Sequence, residues 1–139
     1  MLQQLLLGGA LVGITAILQA AFMVVGLRAL EALRITERNF AHHHATLIIV
    51  LFVLFMFLAI VVDVWTWAAF YVLVGAIESF ETALYFSTAT FTTIGYGDVV
   101  LTTEWRLLGS FEGANGMIIF GWTTALVIAV IQRFYPWHR

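Results

Sequence analysis

The sequence contains no cysteine, no lysine and a single proline, and only 10% of its 139 residues are charged. Without cysteine, the chain can form neither a disulfide framework nor a thiolate metal site. The formal net charge is −2 and no basic stretch is present, so a nucleic-acid partner is excluded. No nucleophile–base pair and no cofactor motif occurs either. The sequence therefore predicts neither an enzyme nor a bound cofactor.

The composition is dominated by apolar residues. They make up 63% of the chain, and the mean hydropathy is +1.01. A soluble domain is nearer half apolar and a quarter charged, so the composition predicts a membrane protein. Three runs have the length of about 20 residues that a bilayer crossing needs: 5–27, 46 to at least 62, and 104 or 106 to 134. The first residues lack the positive region of a signal peptide, which predicts a retained first helix.

The arginines predict the orientation of these spans. Arg28, Arg34 and Arg38 lie between the first and second runs. Arg133 and Arg139 follow the third run, and only Arg106 lies on the other side of the membrane. Positive residues concentrate on the cytoplasmic side of membrane proteins. The prediction is therefore a multi-pass protein of the plasma membrane, in a bacterium the inner membrane. Its 28–44 loop and C-terminus would be cytoplasmic, and its N-terminus outside.

The segment between the second and third runs is neither polar enough for a free loop nor a simple fourth span. Ser79 is a candidate N-cap and Glu81 lies in the first turn of a short helix predicted over 81–91. A helix followed by irregular backbone at membrane depth is tolerated only where it is buried or lines a water-filled cavity. The pattern predicts a re-entrant pore loop. Residues 68–77 leave two alternatives, an extension of the second span or an apolar turret.

Residues 92–98 read Thr-Thr-Ile-Gly-Tyr-Gly-Asp. Glycines can take left-handed backbone angles that a β-branched residue cannot. Alternation of ordinary and left-handed residues turns successive carbonyls to one side, and Thr93 can add a hydroxyl. Such lines of oxygen ligands replace the water shell of a monovalent cation. The run therefore predicts a cation pathway.

This run resembles the signature of the tetrameric potassium-channel family, and residues 46–134 are similar to its minimal two-helix pore module. The resemblance implies a re-entrant pore helix and a selectivity filter, assembled as a homotetramer in the lipid bilayer; with the apolar runs it predicts an all-α membrane protein with three transmembrane helices. The predicted parts are an N-terminal transmembrane helix (1–30), which lies outside the resemblance, a cytoplasmic linker with a histidine cluster (31–45) and the pore module (46–139). The module contains the pore helix and filter (80–98) and the inner helix (104–134).

The resemblance also assigns the ion ligands. Potassium would be bound by Thr93, Ile94, Gly95 and Tyr96, and Gly97 would complete the backbone geometry. The Tyr96 side chain would point away from the ion path and pack against the pore helix.

Residues behind the filter are expected to support it. Asp98 would bond behind the filter, with Tyr85 as its partner. Glu112 would lie toward the pore helix and support the filter from behind; the alternative is a site near the outer interface reached by water. Asn115 is a candidate partner of the Thr92 or Thr93 hydroxyl, which makes Thr92 a further support residue.

Other residues carry weaker expectations. The hinge glycine of the inner helix would fall near Gly116, with Gly113 and Gly121 as alternatives. His42, His43 and His44 predict an interfacial polar cap, with a metal site or pH sensor as the alternative. Asp63, late in the second span, is expected to be a solvated interfacial acid.

The function predicted is passive, potassium-selective conduction. The alternatives are a weakly selective monovalent cation channel, the pore subunit of a potassium transporter, and a non-conducting membrane subunit. Transporter pores usually carry four degenerate loops in one long chain, which is not the pattern here. No helix repeats arginine at every third position, so an intrinsic voltage sensor of the usual kind is excluded. A regulatory partner of unknown kind remains open.

Overall fold

A computed structural model of the chain describes residues 2–32 and 42–135, except for the side chains of 42–44. Four helices lie in these residues: α1 (Leu2–Ala32), α2 (His42–Leu73), α3 (Phe80–Phe91) and α4 (Arg106–Phe134). Three of them are long and apolar enough to cross a membrane. The predicted all-α class with three spans and one short helix is confirmed. Most of the predicted linker and the histidine side chains lie outside the described residues.

The second span continues through most of the stretch that the sequence left ambiguous. It ends at a left-handed glycine, Gly75, whose φ is +69°. The N–H of Ala76 donates to the Tyr71 carbonyl at 2.9 Å, and the N–H of Gly75 donates to the Val72 carbonyl at 3.1 Å. This pair of hydrogen bonds satisfies the last carbonyls of a helix and requires a left-handed residue at its end. Of the two alternatives for residues 68–77, the extension of the second span is therefore correct as far as Leu73.

The short helix α3 begins as its sequence predicts. The Ser79 side chain accepts a hydrogen bond from the Thr82 N–H at 3.1 Å, and Glu81 lies in the first turn. The serine oxygen satisfies one of the N–H groups that a helix start leaves unpaired. The helix packs between α2 and α4. It thereby holds the segment that follows it against the long helices.

Helices α1 and α4 run in the same direction. The Gln4 side chain donates to the Glu104 carbonyl just ahead of α4, and Gln19 Nε2 donates to Thr123 Oγ1 at 2.8 Å. The contacts thus advance together along both helices, whereas α2 returns in the opposite direction. The start of α1 therefore lies at the same end of the bundle as the segment between α3 and α4.

Two apolar clusters fill the bundle. The larger one surrounds α3 and includes Trp67, Tyr71, Phe86, Phe91 and Leu108. The smaller one lies at the opposite end and contains Leu30, Phe52, Met56 and Val130. Large apolar side chains also cover the outside of α2, where Leu54, Phe57 and Leu58 are more than half exposed. Such a helix, apolar on all sides, is typical of a membrane span.

Candidate ion-conducting site

The backbone after α3 alternates between ordinary and left-handed conformations. Thr93, Gly95 and Gly97 have φ values of +62°, +54° and +78°. The two glycines adopt this region as the sequence predicts. Thr93 also adopts the left-handed region, although β-branched residues normally avoid it, and its backbone is therefore strained. Strained residues of this kind occur where the surrounding structure holds them for a functional purpose.

Hydrogen bonds to α3 hold the strained segment. The Thr93 N–H donates to the Thr90 carbonyl at 2.9 Å. The Ala89 carbonyl accepts two hydrogen bonds, from Ile94 N–H at 2.9 Å and from Gly95 N–H at 3.0 Å. The N–H groups of three successive residues are thus satisfied on the helix side.

The carbonyls of the same segment remain available. Among the described residues, no hydrogen-bond donor reaches the carbonyl oxygens of Thr93, Ile94, Gly95 or Tyr96. The segment is also exposed in this chain, with the Ile94 side chain at 56%. Exposed backbone oxygens without donors are chemically suited to bind a hard cation.

A hollow of about 460 Å³ lies between α3, the filter and the start of α4. Tyr85 and Tyr96 both line it. The Tyr96 side chain remains 69% exposed, so the packing against the pore helix expected from the sequence is incomplete within one subunit.

Tyr85 and Asp98 are hydrogen-bonded, as the sequence predicts. The Tyr85 hydroxyl donates to Asp98 Oδ2 at 2.7 Å. This bond lowers the pKa of Asp98 below its usual range and raises the pKa of Tyr85. The ordinary partner of a surface carboxylate is water. Here Tyr85 on α3 holds Asp98, the residue that follows Gly97.

Glu112 is fully buried on α4 and contacts two other helices. It accepts a hydrogen bond from the Tyr71 hydroxyl of α2 at 2.7 Å, and its other oxygen bonds the Ser87 hydroxyl of α3. Ser87 Oγ also lies 2.9 Å from the Val64 carbonyl of α2. The alternative of a water-reached interfacial Glu112 is wrong, because its carboxylate is enclosed by three helices.

Sequence reasoning missed Tyr71 and Ser87 as members of this network. Tyr71 lies in the stretch that could not be assigned to helix or turret, and Ser87 is one of several hydroxyl residues in α3. The sequence signal that could have identified them is a hydroxyl group within an apolar segment, because buried hydroxyls are usually hydrogen-bonded.

Among the described residues Asn115 makes no hydrogen bond to the Thr92 or Thr93 hydroxyl, so the expected pairing is wrong. Its Nδ2 donates to Thr15 Oγ1 of α1 at 2.7 Å, and both residues are buried. The Thr92 hydroxyl instead donates to the Thr88 carbonyl at 2.7 Å, at the end of α3. The physical reason is that α1 packs along α4 and supplies a closer polar partner.

Asp63 is also placed differently from the expectation. It is fully buried, and neither of its carboxylate oxygens has a hydrogen-bond partner among the described residues. The same holds for the indole N–H of Trp67, one turn further along α2. The residue lies inside the bundle because α2 continues well past the end that its apolar run suggested.

The three candidate hinge glycines differ in their surroundings. A Cβ at Gly116 would overlap the Phe91 carbonyl oxygen and lie 2.8 Å from its carbon. At Gly113 the nearest atom, the Thr90 carbonyl oxygen, is 3.5 Å away, and at Gly121 nothing lies within 4 Å. Gly116 is therefore required for close packing of α4 on the end of α3, independently of any bending.

A family model described as an ion channel matches residues 46–133, which is more than half of the chain. The chain belongs to this ion channel family. The match covers nearly all of α2, the whole of α3, residues 92–105 and nearly all of α4, whereas α1 lies outside it. With its three apolar helices, the channel is a multi-pass membrane protein. No curated protein and no solved structure matches the chain.

Proposed function

We propose that this channel conducts potassium selectively through a filter formed by Thr93, Ile94, Gly95 and Tyr96. The observation that carries the proposal is that the carbonyl oxygens of these residues accept no hydrogen bond from the described residues, in a backbone with left-handed angles at Thr93, Gly95 and Gly97. Rings of backbone carbonyls replace the hydration shell of potassium and pass ions from site to site. The Thr93 hydroxyl adds a ligand at the inner end.

The same geometry supports a homotetramer. One subunit supplies one carbonyl at each level, whereas the ion needs a ring, which four loops around one axis provide. The filter of the single subunit is exposed, and Tyr96 lacks full packing on its own pore helix. In a tetramer, neighbouring subunits would cover this surface and hold the tyrosine.

The proposed orientation follows the arginines. The N-terminal end of α1 and the filter share one end of the bundle, which we assign to the outside of the plasma membrane. Asp98 would then lie at the outer mouth, where its lowered pKa keeps it ionised and attractive to cations. The opposite end of α4 would form the gate, with bending at Gly113 or Gly121 rather than at Gly116.

The decisive experiment is the reversal potential of the purified full-length channel in a planar bilayer, with potassium on one side and sodium on the other. A reversal near the potassium equilibrium value is expected. A reversal near zero with clear current would favour the weakly selective cation channel. Absence of current from a correctly assembled tetramer would favour a non-conducting subunit.

A matched pair of variants ties the result to the filter. Gly95→Ala places a Cβ on a left-handed residue and is expected to abolish selective current. Gly13→Ala makes the same change in open space within the helical backbone of α1 and is expected to keep selectivity. Equal selectivity in the two variants would contradict a carbonyl filter at this position.

A further inference from the structure

Four buried side-chain atoms have no hydrogen-bond partner among the described residues, and three of them are oxygens. Both carboxylate oxygens of Asp63 and the amide Oε1 of Gln19 lack a donor, and the indole N–H of Trp67 lacks an acceptor. All three side chains are fully buried. Because buried polar groups are nearly always hydrogen-bonded, these atoms indicate a bound partner that the described residues do not supply.

Asp63 and Gln19 lie at nearly the same level of the bundle. Gly26 of α1 packs directly against the rings of Phe52 and Phe55 of α2, which fixes the register of these antiparallel helices. Gln19 lies seven residues before Gly26, and seven residues after the two phenylalanines the chain reaches 59 and 62. Asp63 therefore lies within about 6 Å of the level of Gln19 along the bundle.

The side of α2 that carries Asp63 faces the seam between α1 and α4. Phe52 is on the side that touches α1, and Tyr71 is on the side that reaches α4. At 3.6 residues per turn, Asp63 lies about 20° from Phe52 and about 80° from Tyr71 around the helix, between the two. Gln19 lies at the same seam, because its Nε2 donates to Thr123 of α4 at 2.8 Å. The unpartnered oxygens of Asp63 and Gln19 thus converge on one seam.

Asp63 lies at hydrocarbon depth without a positive partner. The 32 residues of α2 span about 48 Å, which exceeds a hydrocarbon core of about 30 Å by roughly six residues at each end, and Asp63 lies deeper than this margin. The described arginines, Arg28, Arg106 and Arg133, lie near helix ends. A carboxylate at this depth is costly unless it has a partner. A bound cation would be that partner.

We propose that Asp63 and Gln19 bind one sodium ion at the seam of α1, α2 and α4. A hard cation takes oxygen ligands, and the three unpartnered oxygens supply them. A single positive charge balances the single carboxylate, whereas a divalent ion would leave an uncompensated charge inside the membrane. Sodium without its water is smaller than potassium and fits a closely packed seam better.

The site joins the added helix to the pore module. Asp63 lies in the part of the chain that matches the ion channel family, and Gln19 lies on α1, outside that part. No residue of 92–98 takes part in the site. Sodium binding here and selective conduction through the filter can therefore fail independently of each other.

The test is equilibrium binding of radioactive sodium to the purified full-length channel in choline buffer. Asp63→Asn keeps the side-chain shape, removes the charge, and is expected to lose one sodium ion per chain. Equal sodium binding by the variant and the unmodified channel would overturn the proposal. The reversal potential of Asp63→Asn is expected to equal that of the unmodified channel, which separates this site from the filter.

Glu112→Gln makes the same carboxylate-to-amide change at a buried acid whose oxygens already accept hydrogen bonds from Tyr71 and Ser87. It is expected to keep the sodium ion that Asp63→Asn loses, and loss of that ion would contradict the site. Gln19→Met removes the amide oxygen and is expected to weaken sodium binding about tenfold. Gln4→Met, at the other end of the same helix, is the matched control and should leave sodium binding unchanged; equal weakening by both variants would contradict the role of Gln19.

Infrared difference spectra distinguish a bound sodium ion from a proton on Asp63. In sodium buffer at neutral pH, the difference between the unmodified channel and Asp63→Asn is expected to show the bands of an ionised carboxylate. The carbonyl stretch of a protonated carboxyl in that difference would overturn the proposal. Asp63→Asn adds no volume and removes an unpaired charge, so it is expected to fold, and equal elution from a sizing column verifies this.

Discussion

Helix α4 makes buried polar contacts on two sides, and the two sides differ in kind. Toward α2 and α3, it presents the Glu112 carboxylate to two hydroxyls and lets Gly116 touch backbone. Toward α1, it presents neutral amide and hydroxyl groups, Asn115 to Thr15 and Thr123 to Gln19. The first side belongs to the family's pore module, and the second joins the added helix.

This difference indicates how much each side can constrain the filter. A carboxylate bonded by two hydroxyls, next to a backbone contact, leaves little room for movement of α3. Hydrogen bonds between membrane helices contribute only about 0.6 kcal/mol on average, so the side that adds the close backbone contact at Gly116 constrains α3 more. We therefore expect disruption of the α3 side to change conduction and disruption of the α1 side to change stability alone.

Gly116→Ala is expected to have the largest effect. The new Cβ would overlap the Phe91 carbonyl, and backbone cannot move aside as a flexible side chain can. The cost should reach the upper end of the roughly 1–3 kcal/mol of overpacking. Sizing chromatography should show loss of the assembled channel. Gly113→Ala, with 3.5 Å of clearance, is the control, and equal behaviour of the two variants would contradict the packing role.

Glu112→Leu comes next. It leaves the buried Tyr71 hydroxyl without its partner, at about 1–3 kcal/mol, and removes one of the two acceptors of the Ser87 hydroxyl, which keeps the Val64 carbonyl. A fall in thermal stability together with reduced potassium over sodium permeability is expected. Glu112→Gln keeps the shape and offers hydrogen-bonding atoms, so it should retain more of both. If Glu112→Leu lost stability but kept full selectivity, the residue would support the bundle and not the filter.

The Asn115–Thr15 pair tests the other side of α4. In a double-mutant cycle of Asn115→Ala and Thr15→Val, the coupling energy in unfolding experiments should be about 0.6 kcal/mol. The reversal potential should be the same in all four proteins. A change in selectivity as large as that of Glu112→Leu would erase the distinction between the two sides.

Tyr85→Phe is expected to have the smallest effect, confined to the outer mouth. The Tyr85 hydrogen bond holds the pKa of Asp98 below its usual range, so the carboxylate stays ionised to lower pH than an ordinary aspartate does. Without the hydroxyl the pKa rises, and any acid-dependent loss of conductance should begin at higher pH. Single-channel conductance from about pH 6 to about pH 3 measures this. Asp98→Asn, which cannot titrate, should remove this component entirely.

Local features were predictable and contacts between helices were much less so. The Ser79 cap and the left-handed glycines depend on a few neighbouring residues, and both occur as predicted. Glu112 was expected toward the pore helix and bonds Ser87 there. Asn115 and Asp63 were misplaced, because residue spacing gives a side chain's angle on its own helix but not which helix lies opposite.

The sequence by itself determined the membrane class, the three spans and the left-handed glycines of residues 92–98, because composition, run length and glycine spacing act locally. Only the tertiary structure decided that α1 lies parallel to α4 and takes Asn115 away from the filter. It also decided that Tyr71 and Ser87 meet Glu112. The physical reason is that a helix that is apolar on every side has no amphipathic pattern, so its sequence does not show which face packs against which neighbouring helix. Partners are then chosen by a few buried polar groups and by close contacts at glycine.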